Sequence, residues 1–417
     1  MSPQDRLAKH SATLDRPMYS LLLRAISAYR QEMVELTEHL VAIPTENPPG
    51  NAYAQAVELL CRQLGELGFT DTHTEGECVL SSVGESDRTL YFSGHYDVAP
   101  AQSPSQFALT VKGGNLFGRG ASDMKAGLTA MIYAAKVLRE CAALRNGRIS
   151  LIFVPDEETA GPKGSRYLAD RGLLGRNAIG MLTPEPTGGV VWNANRGAIT
   201  LNITVKGKSA HVGRQHEGVN AFEAMLEVAQ NLRALKMEVE TRTTGFRIAP
   251  ETARRSILLI GGRCGGGTGF NTVPEACSFT VDRRINPEED FEAEKQRLLA
   301  VIDQARLGAD LEVEILQEGR SCGVSESGPV GLALARSIEK VTGCAPQFEL
   351  CPGLLEIRFY VERGIPAFAY GPGLLTVAHG PNEFVSIDRM VQCTLVYALT
   401  AVELLGNGQS LGPDSEL

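Results

Sequence analysis

Two stretches of the sequence decide the fold: residues 89–100, TLYFSGHYDVAP, and residues 148–161, RISLIFVPDEETAG. Each begins with a short apolar run, residues 89–93 and residues 148–154, that is typical of a buried strand, and each continues into histidine, aspartate or glutamate. Residues 125–143, between them, are rich in alanine and leucine and predict a long helix. Strands that alternate with helices in this way indicate an α/β domain with a mostly parallel, mixed sheet.

The same pattern extends outward from these stretches. It predicts helices at 16–42, 52–67, 329–342 and 387–405 and a strand at 365–370. Near residue 195 the pattern changes, with strands predicted at 198–206, 256–261 and 276–284 and helices at 219–235 and 288–306. We therefore predict a discontinuous α/β domain, residues 1–194 and 315–417, interrupted by an α+β domain at residues 195–314. The polar tail after Gly406 is expected to be loose.

The composition excludes several classes of protein. At about 150 residues per domain, 417 residues suffice for two to three domains. Apolar residues make up 43% of the chain and charged residues 21%, which excludes a disordered chain and a coiled coil. The net charge of −9, without any basic cluster, argues against binding to nucleic acid or to an anionic membrane.

The cysteines and the N-terminus favour a soluble cytoplasmic protein. There are nine cysteines and none has C-x-x-C spacing, which argues against a disulfide framework and against a cysteine zinc site. The N-terminal residues lack the apolar core and cleavage site of a signal peptide. No stretch approaches the roughly 20 apolar residues that a membrane-spanning helix needs.

Candidate functional residues follow the two decisive strands. His95 and Asp97 are two residues apart, so on extended backbone their side chains point the same way. Ligands bind at the carboxyl ends of strands in open α/β sheets. Glu157 and Glu158 follow the second strand, and adjacent carboxylates in a cleft repel each other unless a cation compensates them. Taken alone, each pair also fits a solvated surface turn.

Further candidates lie in loops rich in glycine or proline. Asp123 belongs to GRGASDMKAG, residues 118–127, which matches neither the P-loop nor the dinucleotide-binding pattern and which also fits a helix N-cap. Glu185 stands between two prolines, which restrict the backbone. His379 precedes the last predicted helix, where Glu383 is expected to cap or orient the turn.

Together the candidates supply two imidazoles and three carboxylates: His95, Asp123, Glu158, Glu185 and His379. Two divalent ions that share one bridging carboxylate need about this number of ligands and keep positions open for water. Zinc, cobalt and manganese suit such ligands. The sequence contains no G-x-S-x-G nucleophile motif. In the inserted domain we favour a role for His211 and a surface position for His216.

In their order along the chain, SGHYDVAP, GRGASDMKAG, PDEETAG, TPEPT, SAH and AHGPNEF resemble the motifs of one family. It is the di-zinc metallopeptidase family of acetylornithine deacetylase and succinyl-diaminopimelate desuccinylase, to which aminoacylases, carnosine-type dipeptidases and bacterial glutamate carboxypeptidase are related. The resemblance runs from about residue 36 to residue 405. It implies a zinc-peptidase-like catalytic domain with an inserted dimerisation or lid domain.

The resemblance also implies a ligand set for two divalent ions, zinc first and cobalt or manganese as alternatives. His95 and Glu185 would bind one ion, and Glu158 and His379 would bind the other. Asp123 would bridge both ions, and in relatives the peptide bond that follows this aspartate is cis.

Further roles follow from the same resemblance. Asp97 would orient the ring of His95, and Glu157 would be the general base toward the attacking water. His211 would reach the oxyanion from the partner subunit, which implies a homodimer or a higher homo-oligomer.

Three residues match positions that bind substrate in relatives: Asn271, Arg284 and Arg358. An arginine there would hold a substrate carboxylate. One departure concerns residues 353–358, GLLEIR, where relatives carry hydroxyl side chains and this chain has Leu354 and Leu355. The departure indicates a more apolar pocket wall and leaves room for a bulkier or aromatic acid.

We therefore expect a metal-dependent hydrolase that cleaves the amide bond of a small N-acyl amino acid or a related compound carrying a carboxylate. One alternative keeps the metal centre but cleaves another C–N bond, such as the amine of a small aromatic acid. A second alternative is a binding protein without catalytic activity on the same fold. Loss of Glu157 or of a metal ligand would favour that reading, and the sequence retains all of them.

Overall fold

The chain forms two structural units in the computed structural model, which describes residues 17–305 and 310–406. The first unit runs to Asn193 and also contains Val324–Phe348 and the described residues from Phe359 onward. The second unit contains Ala194–Gly323 and Glu349–Arg358. It therefore extends beyond the insert predicted at 195–314. The tail after Gly406 lies outside the described residues.

The helices agree closely with the helical spacing of the sequence. In chain order they are α1 (17–28), α2 (Arg30–Val41), α3 (Tyr53–Glu66), α4 (Ala126–Glu140), α5 (Ser165–Asp170), α6 (Ala221–Val239), α7 (Phe291–Gln304), α8 (Pro329–Thr342), α9 (Ile357–Val361) and α10 (Ile387–Leu405). The helix predicted at 16–42 is divided at Tyr29. The limits of α8 are as predicted, because Pro329 suits the first turn and Gly343 takes the left-handed C-cap conformation, φ 78°.

The strands include several that no sequence pattern predicted. In chain order they are β1 (Asp71–Glu75), β2 (Cys78–Val83), β3 (Thr89–His95), β4 (Thr110–Lys112), β5 (Asn115–Phe117), β6 (Arg148–Val154), β7 (Ala178–Thr183), β8 (Val191–Asn195), β9 (Gly197–Lys206), β10 (Ala210–His211), β11 (Ile257–Gly266), β12 (Thr272–Val273), β13 (Ala276–Ile285), β14 (Asp310–Gly319), β15 (Cys322–Gly323), β16 (Phe348–Cys351), β17 (Ala367–Ala369) and β18 (Phe384–Ser386).

The main sheet of the first unit is mixed, as predicted. Its strands follow the order β1-β2-β6-β3-β7-β17-β8. The inner strands β6, β3, β7 and β17 run parallel to one another, whereas β1 and β2 on one side and β8 on the other pair antiparallel. All seven residues of β3 are buried, which explains its continuous apolar run.

Helix α4 forms the centre of the hydrophobic core in the first unit. Every residue from Ala126 to Leu138 is buried, as expected for a helix that is apolar on all sides. It packs against α2 and α10. Among the described residues, no helix combines the length and the apolar character that crossing a membrane requires.

The second unit is an α+β arrangement of its own. Its antiparallel sheet has the order β11-β13-β9-β14, and α6 and α7 contribute to the core beside it. Alternate residues of β9 are buried in that core: Ile199, Leu201, Ile203 and Val205. The strand β14 lies outside the predicted elements and pairs with β9, so that the unit includes residues beyond 314.

Candidate metal centre

The three inner strands β3, β6 and β7 deliver acidic and imidazole side chains to one edge of the sheet. His95 is the last residue of β3, and Glu157 and Glu158 follow the end of β6. Glu185 follows the end of β7, a strand that the sequence analysis did not predict. Because these strands are parallel, their carboxyl ends lie at the same edge, where α/β sheets bind ligands.

The structure brings all five predicted metal ligands together in two groups that share Asp123. One group is His95, Asp123 and Glu185, and the other is Asp123, Glu158 and His379; within each group one ligand atom per residue lies within 4.8 Å of the others. Asp123 Oδ1 is 3.3 Å from His95 Nε2, whereas Asp123 Oδ2 is 3.4 Å from His379 Nε2. The aspartate thus offers one oxygen to each group.

The donor atoms fit divalent cations. The buried Glu185 Oε1 atom has no hydrogen-bond partner among the described residues, and the buried Asp123 Oδ1 atom faces Nε2 of His95 at 3.3 Å. Buried polar atoms are almost always paired, so an unpaired carboxylate oxygen in this acidic cluster indicates a site for a cation. Imidazole nitrogens and carboxylate oxygens are ligands that zinc, cobalt and manganese accept.

The electrostatics of the carboxylates point the same way. Burial, together with the charges of Glu157 and Asp123, raises the pKa of Glu185 well above its ordinary value. Burial also raises the pKa of Glu158. Burial opposes ionisation of Asp123 too, but hydrogen bonds with His379 and His95 outweigh it and lower the pKa of this carboxyl. Cations would offset the cost of crowding these carboxylates.

The two histidines lie between acidic groups. Burial lowers the pKa of His95, but hydrogen bonds with Asp123 and Asp97 outweigh it and raise the pKa well above the ordinary value. Hydrogen bonds with Asp123 and Glu158 raise the pKa of His379 to about 10. A histidine must be neutral to bind a metal, so metal binding would release protons from this cluster.

Asp97 holds the His95 side of the cluster together. The Nδ1 atom of His95 is 2.9 Å from the carbonyl oxygen of Asp97 and 3.4 Å from its Oδ1. The backbone N–H groups of Glu157 and Glu158 donate to the same carboxylate at 3.3 and 3.2 Å. Asn47 Nδ2 donates to its Oδ2 at 2.9 Å. These contacts are what the predicted orienting role requires. The sequence analysis did not identify Asn47.

Glu157, the predicted general base, lies beside the two ligand groups. It belongs to neither ligand group, and its Oε2 is 3.8 Å from His95 Nε2. Its side chain is 13% exposed, so Glu157 is mostly buried beside the cluster. Adjacent residues Glu157 and Glu158 therefore point to different partners.

The loop that carries Asp123 is not the start of a helix. The N-cap position of α4 is Lys125, so the N-cap reading of Asp123 is wrong. The peptide bond between Asp123 and Met124 is cis, as the resemblance implied. Lys125 is buried, and its Nζ donates to the carbonyl oxygens of Leu40 and Ile43 at 2.9 and 2.8 Å. Burial lowers the pKa of Lys125 to about 7.

One buried ion pair beside the cluster was missed by the sequence analysis. Arg119 Nη1 is 2.5 Å from Glu383 Oε2, and both side chains are 1% exposed. Glu383 accepts from the backbone N–H of Asp123, in a different loop from the turn before the last helix that it was expected to cap or orient; the N-cap of that helix is Ser386. The only sequence signal for Arg119 is its place between two glycines in GRGASDMKAG, and that signal does not reveal burial.

The remaining predicted residues lie in the second unit and keep the status of predictions. Exposed His211 precedes the turn Val212–Glu217, and its Nδ1 accepts from Gly213 N–H at 3.1 Å. His216 is exposed on the surface, with a 76% exposed side chain. Asn271 is also exposed.

The two arginines of the predicted substrate site differ in burial. Arg284 is partly exposed and forms a two-point ion pair with Asp282, at 2.7 and 2.9 Å. Arg358 is 2% exposed and donates to the carbonyl oxygen of Leu355 at 2.7 Å. Leu355 is itself buried, so of the two leucines only Leu354 is partly exposed.

Comparison with known proteins identifies the family. The model of peptidase family M20/M25/M40 matches residues 91–403. The chain is 26% identical over 400 residues to a probable succinyl-diaminopimelate desuccinylase of Staphylococcus epidermidis, covering 88% of this chain and 96% of that one. It is 25% identical over 419 residues to the N-formyl-4-amino-5-aminomethyl-2-methylpyrimidine deformylase of Bacillus subtilis, covering 92% and 96%.

Solved structures share the fold. The di-peptidase Dug1p of Saccharomyces cerevisiae matches with a TM-score of 0.74 at 15% identity, over 94% of this chain and 99% of that one. The YxeP protein of Bacillus subtilis, described as a dinuclear metal-binding peptidase, matches with a TM-score of 0.66 at 17% identity, over 91% and 99%. The arrangement of a mixed sheet with an inserted domain is therefore that of the family.

Proposed function

The chain belongs to peptidase family M20/M25/M40 and is a hydrolytic enzyme, and on this premise we propose that it cleaves the amide bond of a small N-acyl amino acid or related compound. The observation that carries the proposal is the pair of ligand groups that share Asp123. Two ions in such an arrangement serve hydrolysis of a polarised carbonyl.

The residues that would hold the ions follow from the two groups. His95 and Glu185 would hold one ion, Glu158 and His379 the other, and Asp123 would bridge them. We propose zinc as the native metal because these nitrogen and oxygen donors suit it, with cobalt or manganese as substitutes. The dinuclear B. subtilis neighbour supports a count of two.

Glu157 performs the proton transfers in this proposal. When bound, the two ions lower the pKa of water and polarise the substrate carbonyl. Glu157 takes one proton from the water as its oxygen adds to the carbonyl carbon, and then gives that proton to the nitrogen as the C–N bond breaks. Asp97 keeps the Glu157 backbone in place through its hydrogen bond. The products are a carboxylic acid and an amine.

We propose that residues of the second unit complete the site, as the family resemblance implies. Arg284 would hold a substrate carboxylate, and its ion pair with Asp282 fixes the guanidinium in advance. Asn271 and Arg358 would support substrate binding. His211 of the partner subunit would donate to the oxyanion, which makes the working form a homodimer or a larger homo-oligomer. The nine cysteines are all free thiols, which fits the reducing cytoplasm that we propose as the location.

A second substrate class is an amide or other C–N bond on a small aromatic compound. The B. subtilis relative named for a formylated aminomethylpyrimidine supports this candidate. The partly exposed Leu354, where relatives carry hydroxyl groups, also favours a more apolar acyl or amine group.

A metal-controlled hydrolysis screen tests the proposal. The enzyme is loaded with zinc and offered N-formyl, N-acetyl and N-succinyl amino acids, dipeptides and N-acylated aromatic amines, with chelated enzyme and Glu157→Gln as controls. We expect chelator-sensitive release of the amine from one acyl class and none from Glu157→Gln. Turnover that survives chelation, or no turnover of any class by enzyme that holds two ions, would overturn the proposal.

Mixed dimers test the shared site. His211→Ala and Glu157→Gln protomers are each expected to be nearly inactive. If His211 serves the partner's site, mixing them gives one intact site per mixed dimer and restores about a quarter of the activity at equal mixing. His216→Ala is the matched control and is expected to retain full activity. The lack of any recovery in mixed dimers would contradict a site shared between subunits.

A further inference from the structure

We propose that Arg119 and Glu383 are positioning residues for the His379 half of the metal centre. The inference rests on the proposed dinuclear centre, and it concerns which residues hold that half in place. One buried ion pair contacts the backbone of the shared ligand Asp123 and, from its other end, the backbone of His379. Neither residue is a metal ligand.

Glu383 fixes the chain around Asp123. Its Oε1 accepts the backbone N–H groups of Ser122 and Asp123 at 2.9 and 3.1 Å, while its Oε2 faces Arg119. The side chain is buried, so water does not compete for these bonds. The carboxylate of Asp123 therefore depends on Glu383 for the direction of its backbone.

Arg119 fixes the loop of His379. Its Nη2 donates to the carbonyl oxygen of His379 at 3.0 Å, and Gln102 Nε2 donates to the same oxygen at 2.9 Å. Arg119 Nη2 also donates to Gln102 Oε1 at 3.1 Å, so the two side chains that hold the His379 carbonyl are hydrogen-bonded to each other. Gln106 Nε2 holds the next carbonyl, that of Gly380, at 3.1 Å.

His379 needs such support because its side chain is half exposed and its backbone is in an unfavourable conformation. Its side chain is 50% exposed and its φ of 61° lies in the left-handed region, which residues other than glycine rarely adopt. Such a conformation persists where the surroundings fix it from several sides. His95, by contrast, is 1% exposed and ends a strand of the central sheet. Loss of the pair should therefore affect the two halves unequally.

Cobalt titration of the full-length protein measures this inequality. Metal-free wild type and Arg119→Gln are titrated with Co²⁺, and both the absorption of bound Co²⁺ and the binding heat are recorded. We expect wild type to bind two equivalents. Arg119→Gln should bind the first equivalent unchanged and the second about 10- to 100-fold more weakly, the usual cost of losing a partner of a metal ligand. The spectrum of the second Co²⁺ should change in shape.

Conservative and control variants separate positioning from general damage. Glu383→Gln keeps an oxygen that accepts from the two N–H groups but loses the negative charge. Arg119→Lys keeps the positive charge but loses the planar guanidinium with its several N–H donors. Both variants should lower the affinity for the second equivalent less than Arg119→Gln does. Arg139→Gln is the matched control. Like Arg119, Arg139 donates to backbone carbonyls, those of Leu67 and Gly68. It lies near the end of α4, about 20 Å along the helix from the loop of Asp123. The Arg139→Gln variant should bind both equivalents as wild type does.

Each outcome decides the inference. Arg119→Gln that binds both equivalents with wild-type affinity and spectrum would overturn it, and so would equal weakening of both equivalents. If Arg119→Gln does not fold, the same criteria apply to Arg119→Lys, which leaves the bonds between Glu383 and the backbone of Asp123 in place. Wild type that binds fewer than two equivalents would instead refute the proposed dinuclear centre, because that result does not depend on any change at Arg119 or Glu383.

Discussion

The two halves of the metal centre share Asp123 but are held in place by different means. His95 is buried at the end of a central strand, and Glu185 beside it is 4% exposed. His379 lies in a loop with half of its side chain exposed, and side chains from elsewhere in the chain hold its carbonyl. The sheet thus positions His95, Glu185 and also Glu158, whereas hydrogen bonds from long polar side chains position His379.

The difference has a functional consequence. A buried half whose ligands are already ordered should bind its ion tightly, because little order must be gained on binding. The more exposed half should exchange its ion and admit the substrate. We therefore expect two unequal binding constants, and the following variants change or sharpen that inequality.

The largest effect is expected for the residue that both halves share. Asp123→Ala removes one ligand atom from each group, so neither half should retain its ion and hydrolysis should fall to the background rate. Metal analysis after gel filtration, with the activity of the same sample, measures this. Retention of two ions per chain by the variant would show that Asp123 is not shared.

Glu157→Gln should remove the chemistry and leave the two halves intact. A general base contributes about 10²- to 10⁴-fold, so kcat should fall by that factor while two ions per chain remain bound. Glu77→Gln, which changes a partly exposed glutamate paired with Lys163, is the control and should act as wild type does. A fall of less than tenfold would exclude Glu157 as the base.

The two histidine variants compare the halves directly. His379→Ala should retain one ion and should destabilise the metal-free protein less than His95→Ala does, because the His379 side chain is half exposed. His95→Ala leaves buried carboxyl groups without a partner and should destabilise the metal-free protein by about 1–3 kcal/mol. Urea unfolding in chelator measures both. Equal losses of stability would contradict the difference in how the halves are held.

The smallest effect is expected two contacts away from the metal. Asn47→Ala removes one hydrogen bond to Asp97, which in turn orients His95. The affinity of the first ion should fall by about tenfold with the second nearly unchanged, the reverse of the pattern expected for Arg119→Gln. Co²⁺ titration of the two variants side by side tests this contrast. If Asn47→Ala also lowered the affinity for the second ion, the contrast between the two variants would be lost.

Much of the fold was predictable because strong local patterns carried it. The strand at 148–154 and the helices at 329–342 and 387–405 match β6, α8 and α10 residue for residue. Continuous apolar runs and clear end signals make such elements independent of context. The strand β1, DTHTE, was missed because it is polar and mostly exposed, so its strand conformation depends on pairing with β2.

The sequence alone supplied the predicted ligand types and their order, and its resemblance to the family supplied the proposed division of roles between Glu157 and its neighbours. Motifs record these because each ligand needs a specific side chain in a specific local turn. The tertiary structure alone decided what supports them. Arg119 donates to the carbonyl oxygen of His379, a residue 260 positions away. Every residue has such a backbone carbonyl, so a sequence motif cannot indicate this contact. Only the folded chain brings a buried donor and a backbone acceptor together.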